Sequence, residues 1–131
     1  MVVTRLARRL RRVEHGGISP TMRAILTTLE RRGPLTHGDL AAVERVRPPT
    51  ITAAVDRLEH DGLVTRERDT EDRRVTRVVI TGAGCELLDQ SRRERTAYLA
   101  QRLRALSPDD RAAIAAAAPA LARLLDEADG P

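Results

Sequence analysis

The chain has 131 residues, a length that suits one domain with an ordinary buried core. It is 41% hydrophobic but only 1% aromatic, so Leu, Val, Ile and Ala must build that core, which suits packed helices. All 23 basic residues are Arg and the formal net charge is +4; the pI near 10.7 fits either a polyanionic partner or simply a solvated, Arg-rich surface, and the single Cys85 excludes an internal disulfide framework.

In chain order, Val3 to Glu14 sets Val3, Leu6, Leu10 and Val13 at helical spacing, and His15-Gly16-Gly17 ends that helix. Residues 1–32 hold eight Arg against Glu14 and Glu30, whereas the chain from Asp126 is acidic. Ser19-Pro20 opens a second helix with a cap and a first-turn proline; its apolar positions are Met22, Ile25, Leu26 and Leu29, and Gly33-Pro34 stops it. Thr36 caps a third helix carrying Leu40 and Ala41. The basic turn Arg45-Val46-Arg47 leads into a fourth, over about 48–61, that opens at Pro48-Pro49.

After Gly62, the β-branched runs Leu63–Arg68 and Arg74–Ile80 predict two strands of a hairpin. Thr81-Gly82-Ala83-Gly84 breaks the pattern, and a long helix follows to about Leu106, with Leu88, Leu99, Leu103 and Leu106 near one stripe. Ser107-Pro108-Asp109-Asp110 starts a last helix with a cap, a proline and two acids at the positive end of the dipole. Its apolar residues are Ile114, Leu121, Leu124 and Leu125. Pro119 is expected to kink or interrupt it.

A short helix, a tight turn, a helix sized for the major groove and an arginine-bearing β-ribbon make the layout of a winged helix-turn-helix DNA reader. The fold class is therefore mainly α with a small β-hairpin wing. On the fourth helix Ile51, Ala54, Val55 and Leu58 share one side, while Pro49, Thr52, Ala53, Asp56 and Arg57 face the other and Thr50 lies on the flank. Short side chains at 52 and 53 let the backbone approach base edges, and threonine and alanine methyls can meet a thymine methyl. The helix N-terminus favours a phosphate. In the wing, about 66–77, Arg66, Arg68, Arg73, Arg74 and Arg77 alternate with Glu67, Asp69, Glu71 and Asp72, so some acids hold particular arginines in place. A tip arginine suits a narrow minor groove. The residues assigned to DNA are Arg47, Thr50, Thr52, Ala53 and Arg57, with Arg68, Asp72, Arg73 and Arg74 of the wing.

The run Thr50-Ile51-Thr52-Ala53-Ala54-Val55-Asp56-Arg57-Leu58-Glu59-His60-Asp61-Gly62-Leu63-Val64, then Arg66, Asp72-Arg73-Arg74, and Ile80-Thr81 with Gly84, resembles the multiple-antibiotic-resistance regulator (MarR) family. The resemblance covers nearly the whole chain. It implies a cytoplasmic homodimer that binds a pseudo-palindromic operator in double-stranded DNA, usually as a repressor. It matches Asp72 with Arg74 to a wing pattern in which the acid braces the arginine. Many similar proteins release DNA on binding a small-molecule effector or on oxidation; the sequence does not identify an effector here. The chain departs from the pattern in its Pro48-Pro49 opening, its short N-terminus and its near lack of aromatics.

The resulting organisation is a single domain over 1–131, with a winged-helix DNA-binding core at 19–82 and dimerisation helices at 1–15 and 83–128. Surplus apolar helix in so small a chain independently suggests a symmetric dimer. The N-terminus lacks an apolar signal run, no stretch approaches the ~20 apolar residues of a membrane span, and a cytoplasmic location is expected. No nucleophile elbow, phosphate-binding glycine loop or HExxH motif occurs, so neither catalysis nor a cofactor is expected. His15, His37 and His60 lack close ligand spacing and no metal site is assigned. Cys85 reads as a small apolar residue rather than a redox switch. The competing function is an architectural or protein-interaction winged helix without a specific operator.

Overall fold

Capping chemistry sets most element boundaries in the computed structural model, which describes residues 1–13 and 17–126. The Ser19 hydroxyl accepts from the Met22 N–H at 3.2 Å and Pro20 occupies the first turn of α2 (Pro20–Arg32), with α1 (Val2–Arg12) before it. Thr36 accepts from the Asp39 N–H at 3.1 Å to start α3 (His37–Glu44). α4 spans Pro48–His60, α5 Gly82–Arg104 and α6 Pro108–Asp126, where Ser107 accepts from the Asp110 N–H. The expected helix end at His15-Gly16 and the acids beyond Asp126 lie outside the described residues.

Two corrections concern the regular elements. The sheet has three strands rather than two: β1 (Leu35–Thr36), β2 (Val64–Arg68) and β3 (Thr76–Ile80), in the order β1-β3-β2 and antiparallel throughout. β1 pairs Leu35 with Val78 and Thr36 with Arg77, and β2 runs from Val64 opposite Ile80 to Arg68 opposite Thr76. Arg74 and Val75 belong to the tip rather than to the strand, because the Val75 N–H turns back to the Asp72 carbonyl at 3.0 Å. The second concerns Pro119: of the kink or interruption expected there, the interruption does not occur, and α6 runs on through it. The alanines at 115–118 that precede it are strong helix formers, and in the single chain the helix is exposed.

Packing groups the chain into two compact units, one within residues 14–94 and one formed by 1–13 with 95–131. In the first, Ile25, Leu26 and Leu29 of α2, Leu40 of α3, Ile51, Val55 and Leu58 of α4, Val64, Val78 and Leu88 form one buried cluster. Fully burying each such side chain contributes about 1.5–3 kcal/mol, and the row at 51, 55 and 58 fixes which face of α4 turns outward. In the second unit, α1 and α6 bury no residue within the chain.

The corner between wing and α5 explains the Thr-x-x-Gly spacing. Thr81 donates its hydroxyl to the Gly62 carbonyl at 2.7 Å and accepts from the Gly84 N–H at 3.1 Å, while its own N–H bonds the Leu63 carbonyl. A Cβ at Gly84 would overlap the Leu63 carbonyl oxygen, so only glycine lets the two backbones approach.

Candidate nucleic-acid interface

The turn between α3 and α4 is made by Arg45, which adopts the left-handed conformation (φ 54, ψ 44) and reverses the chain without a glycine. Val46 packs on the core, and Arg47 becomes the extended residue that a following proline requires. α4 then begins with two residues that have no N–H. The Thr50 and Ile51 N–H groups both return to the Arg47 carbonyl, at 3.0 and 3.3 Å. This helix start therefore keeps its dipole but offers a phosphate no free first-turn donor. Any phosphate grip there falls to the exposed Arg47 and the Thr50 hydroxyl.

Pro49, Thr50, Thr52, Ala53, Asp56 and Arg57 are not part of the buried row of α4, as their wheel positions predict, and Thr52, Ala53 and Arg57 are among its exposed residues. The Thr52 hydroxyl donates to the Pro48 carbonyl at 3.1 Å, leaving its lone pairs and γ-methyl for a partner. Arg57 Nε bonds Asp61 Oδ2 at 3.2 Å, one turn toward the helix C-terminus.

At the wing tip Asp72 accepts from the Arg74 backbone N–H and from Nε at 3.1 Å and Nη2 at 3.3 Å, while its own N–H bonds Asp69. These bonds, the guanidinium first, hold the Asp72 carboxyl below the usual carboxylate range. Arg77 lies 4.0 Å from Asp69. Arg68, at the end of β2, and Arg73, at the tip, are exposed.

The α4 set and the wing set are joined by a residue that the sequence reading did not assign to the site. Arg66 of β2 bonds Asp56 Oδ1 through Nη2 and Glu59 Oε1 through Nη1 at 2.6 Å, tying the ribbon to the exposed side of α4. The available signal was a pair of acids three apart on the outward face of α4, followed by an arginine on the next strand. His37 lies within the same electrostatic group. Burial first, then Arg66, lowers its pKa, against the opposing pull of Asp56 and Glu59.

Tyr98 accepts from Arg9 Nε at 3.1 Å and Arg102 Nε at 3.2 Å, and the Arg9 bond leads in lowering its phenol pKa. Cys85 is half-buried in the first turn of α5. Among the described residues no three His, Cys, Asp or Glu side chains converge on a metal position, and no helix is long and apolar enough to cross a membrane.

Residues 18–76, from just before α2 to the first residue of β3, match the model of the MarR family. An HTH-type transcriptional regulator of Mycobacterium leprae is 39% identical over 97% of this chain and 90% of its own length. The chain belongs to the MarR family. The HTH-type transcriptional repressor MdtR of Bacillus subtilis is 30% identical over 77% of this chain and 65% of its own length. A MarR family protein from Bacillus stearothermophilus has the same fold, with a TM-score of 0.77, 28% identity, and coverage of 98% of this chain and 89% of that one. The fold also matches a mutant of MepR from S. aureus bound to an oligodeoxyribonucleotide, at a TM-score of 0.75 and 20% identity over 98% of this chain and 94% of the other. The chain is thus a MarR family helix-turn-helix transcriptional regulator, and DNA binding is its family's mode of action.

Proposed function

We propose that the chain acts as a cytoplasmic homodimeric repressor, without catalytic activity, that holds a pseudo-palindromic operator. α4 enters the major groove, with Thr50, Thr52, Ala53 and Arg57 at its outward face and Arg47 on the backbone. The wing reaches the minor groove through Arg74 or Arg73, with Asp72 bracing the former and Arg68 flanking. The observation that carries this reading is the Arg66 bridge, because it ties the groove-sized helix to an arginine-tipped ribbon. MdtR, a relative named as a repressor, supports the regulatory sign. A small-molecule effector is compatible with this scheme.

The dimer follows from uncovered surface. Met1, Val2, Val3 and Leu6 of the N-terminal segment and Ile114, Leu121, Leu124 and Leu125 of α6 are exposed in the single chain, Leu125 by 71%. Two helices that leave this many large apolar side chains uncovered support an association site there. On this reading residues 19–82 are the reader, and 1–15 with 83–128 are the helices that pair two copies. Sedimentation equilibrium tests it: a species of twice the 14.4 kDa chain mass is expected, binding one duplex. A monomer that binds a single half-site with full affinity would overturn it.

A further inference from the structure

We infer that α4 reads its half-site chiefly through thymine C5-methyl groups, rather than through hydrogen bonds to purine edges. This deepens, and rests on, the operator-binding role proposed above. Three of the polar side chains on the outward face of α4 have partners within the chain. The Thr52 hydroxyl proton goes to the Pro48 carbonyl. Asp56 is held by Arg66, and Arg57 leans to Asp61, toward the C-terminal end of the helix. In helix-turn-helix readers the N-terminal residues of the recognition helix meet base edges. Here those turns present the Pro49 ring, the Thr52 γ-methyl and the Ala53 β-methyl, all exposed.

The two prolines remove the first-turn donors that would otherwise clamp a phosphate, and the Thr50 N–H is already bonded. What remains is a short-chained surface whose methyls and proline ring outnumber its polar groups, the Thr50 hydroxyl and the Thr52 lone pairs. The one apolar group that the standard base pairs present to the major groove is the thymine methyl. A face of this kind discriminates T·A from C·G through contact with that methyl, at positions opposite residues 49, 52 and 53.

The test uses the full-length protein and a duplex enriched from a random double-stranded library. Each thymine of a half-site is replaced in turn by deoxyuridine, which deletes the methyl and keeps the pairing. Removing a contacted methyl should weaken binding about four-fold, the equivalent of one buried methylene-sized group. Thr52→Ser keeps the hydroxyl and loses its methyl, so in that variant the deoxyuridine effect at one position should shrink toward none. Unchanged binding to every deoxyuridine duplex, with loss on replacing guanine by 7-deazaguanine, would overturn the inference in favour of Arg57 reading guanine. A library that yields no enriched repeat would instead remove the operator role itself, a different failure from a repeat whose methyls are silent.

Discussion

Arg74 donates to both carboxylate oxygens of Asp72, Nε to Oδ1 at 3.1 Å and Nη2 to Oδ2 at 3.3 Å, while its side chain remains 90% exposed. An ion pair so open to water adds little to stability. Its consequence is orientation: the long side chain loses rotamer freedom before DNA arrives, and less order has to be imposed on binding. Arg74→Ala should therefore weaken operator binding about ten-fold or more, within the roughly 1–3 kcal/mol of a specific arginine contact, and leave the dimer and melting temperature unchanged. Fluorescence anisotropy with a labelled operator measures this, and undiminished affinity would remove the wing assignment.

The same pair has a pH signature. Arg74 depresses the Asp72 pKa, so its orienting contribution is complete above the ordinary carboxylate value near ~3.9 and is lost as pH falls through the lower folded value. Carbon-13 chemical shifts should place the Asp72 midpoint below that of a free carboxylate. Arg74→Ala should move it up, and a midpoint that stays put would show that the two groups do not interact in solution.

Arg66 couples the two reading elements, and its loss should be felt as lost coupling. Arg66→Gln removes both ion pairs to α4 and leaves the β2–β3 register to the backbone. In wild-type background Arg74→Ala costs its full effect. In the Arg66→Gln background the wing is no longer tied to α4, and the same change should cost measurably less. A double-mutant cycle on operator affinity reads this out, and strict additivity would leave Arg66 with a purely local role.

His37 is kept neutral, by burial first and by Arg66 second. Because its folded pKa lies below the unfolded value, near ~6.5, the unfolded chain takes up the proton first as pH falls. Stability should decline as pH drops from about 6.5 through the folded pKa, and then level off for this group. His37→Gln should flatten that part of the stability profile. Denaturant melts at a series of pH values spanning the histidine range check it, and an identical slope in the variant would contradict it.

Gly84→Ala drives a methyl into the Leu63 carbonyl oxygen and places it 2.7 Å from Ile80 Cγ1. Backbone cannot yield as a flexible side-chain end can, so overpacking of about 1–3 kcal/mol is expected. Differential scanning calorimetry should show a fall of several degrees in melting temperature, and an unchanged transition would contradict the close approach. Thr81→Val, which loses the hydroxyl's bonds to Gly62 and Gly84, should move it in the same direction.

The helices and the orientation of α4 were legible because local rules decide them. Ser19, Thr36 and Ser107 are caps with their own N–H partners, and Ile51, Val55 and Leu58 are buried by a spacing visible in the sequence. What was not legible depends on partners distant in the chain. β1 is two residues long and exists only because Leu35 meets Val78, far along the chain. The Arg66 bridge needs the sheet to carry β2 past α4. The Thr52 hydroxyl bond to Pro48 and the missing first-turn donors were present as local chemistry, yet the general expectation of phosphate at a helix start overrode them. At Pro119 the local rule overstates the break: α6 runs on through it after an alanine-rich stretch.

The central claim is sequence-specific operator recognition by two copies of α4 and its wing. Selection of bound duplexes from a random double-stranded library, at near-physiological salt and followed by sequencing, tests it most directly. An enriched inverted repeat with half-site centres about one helical turn (~10 bp) apart is expected. Robust binding with no enriched motif would contradict the claim and leave a winged helix that recognises the duplex without reading it.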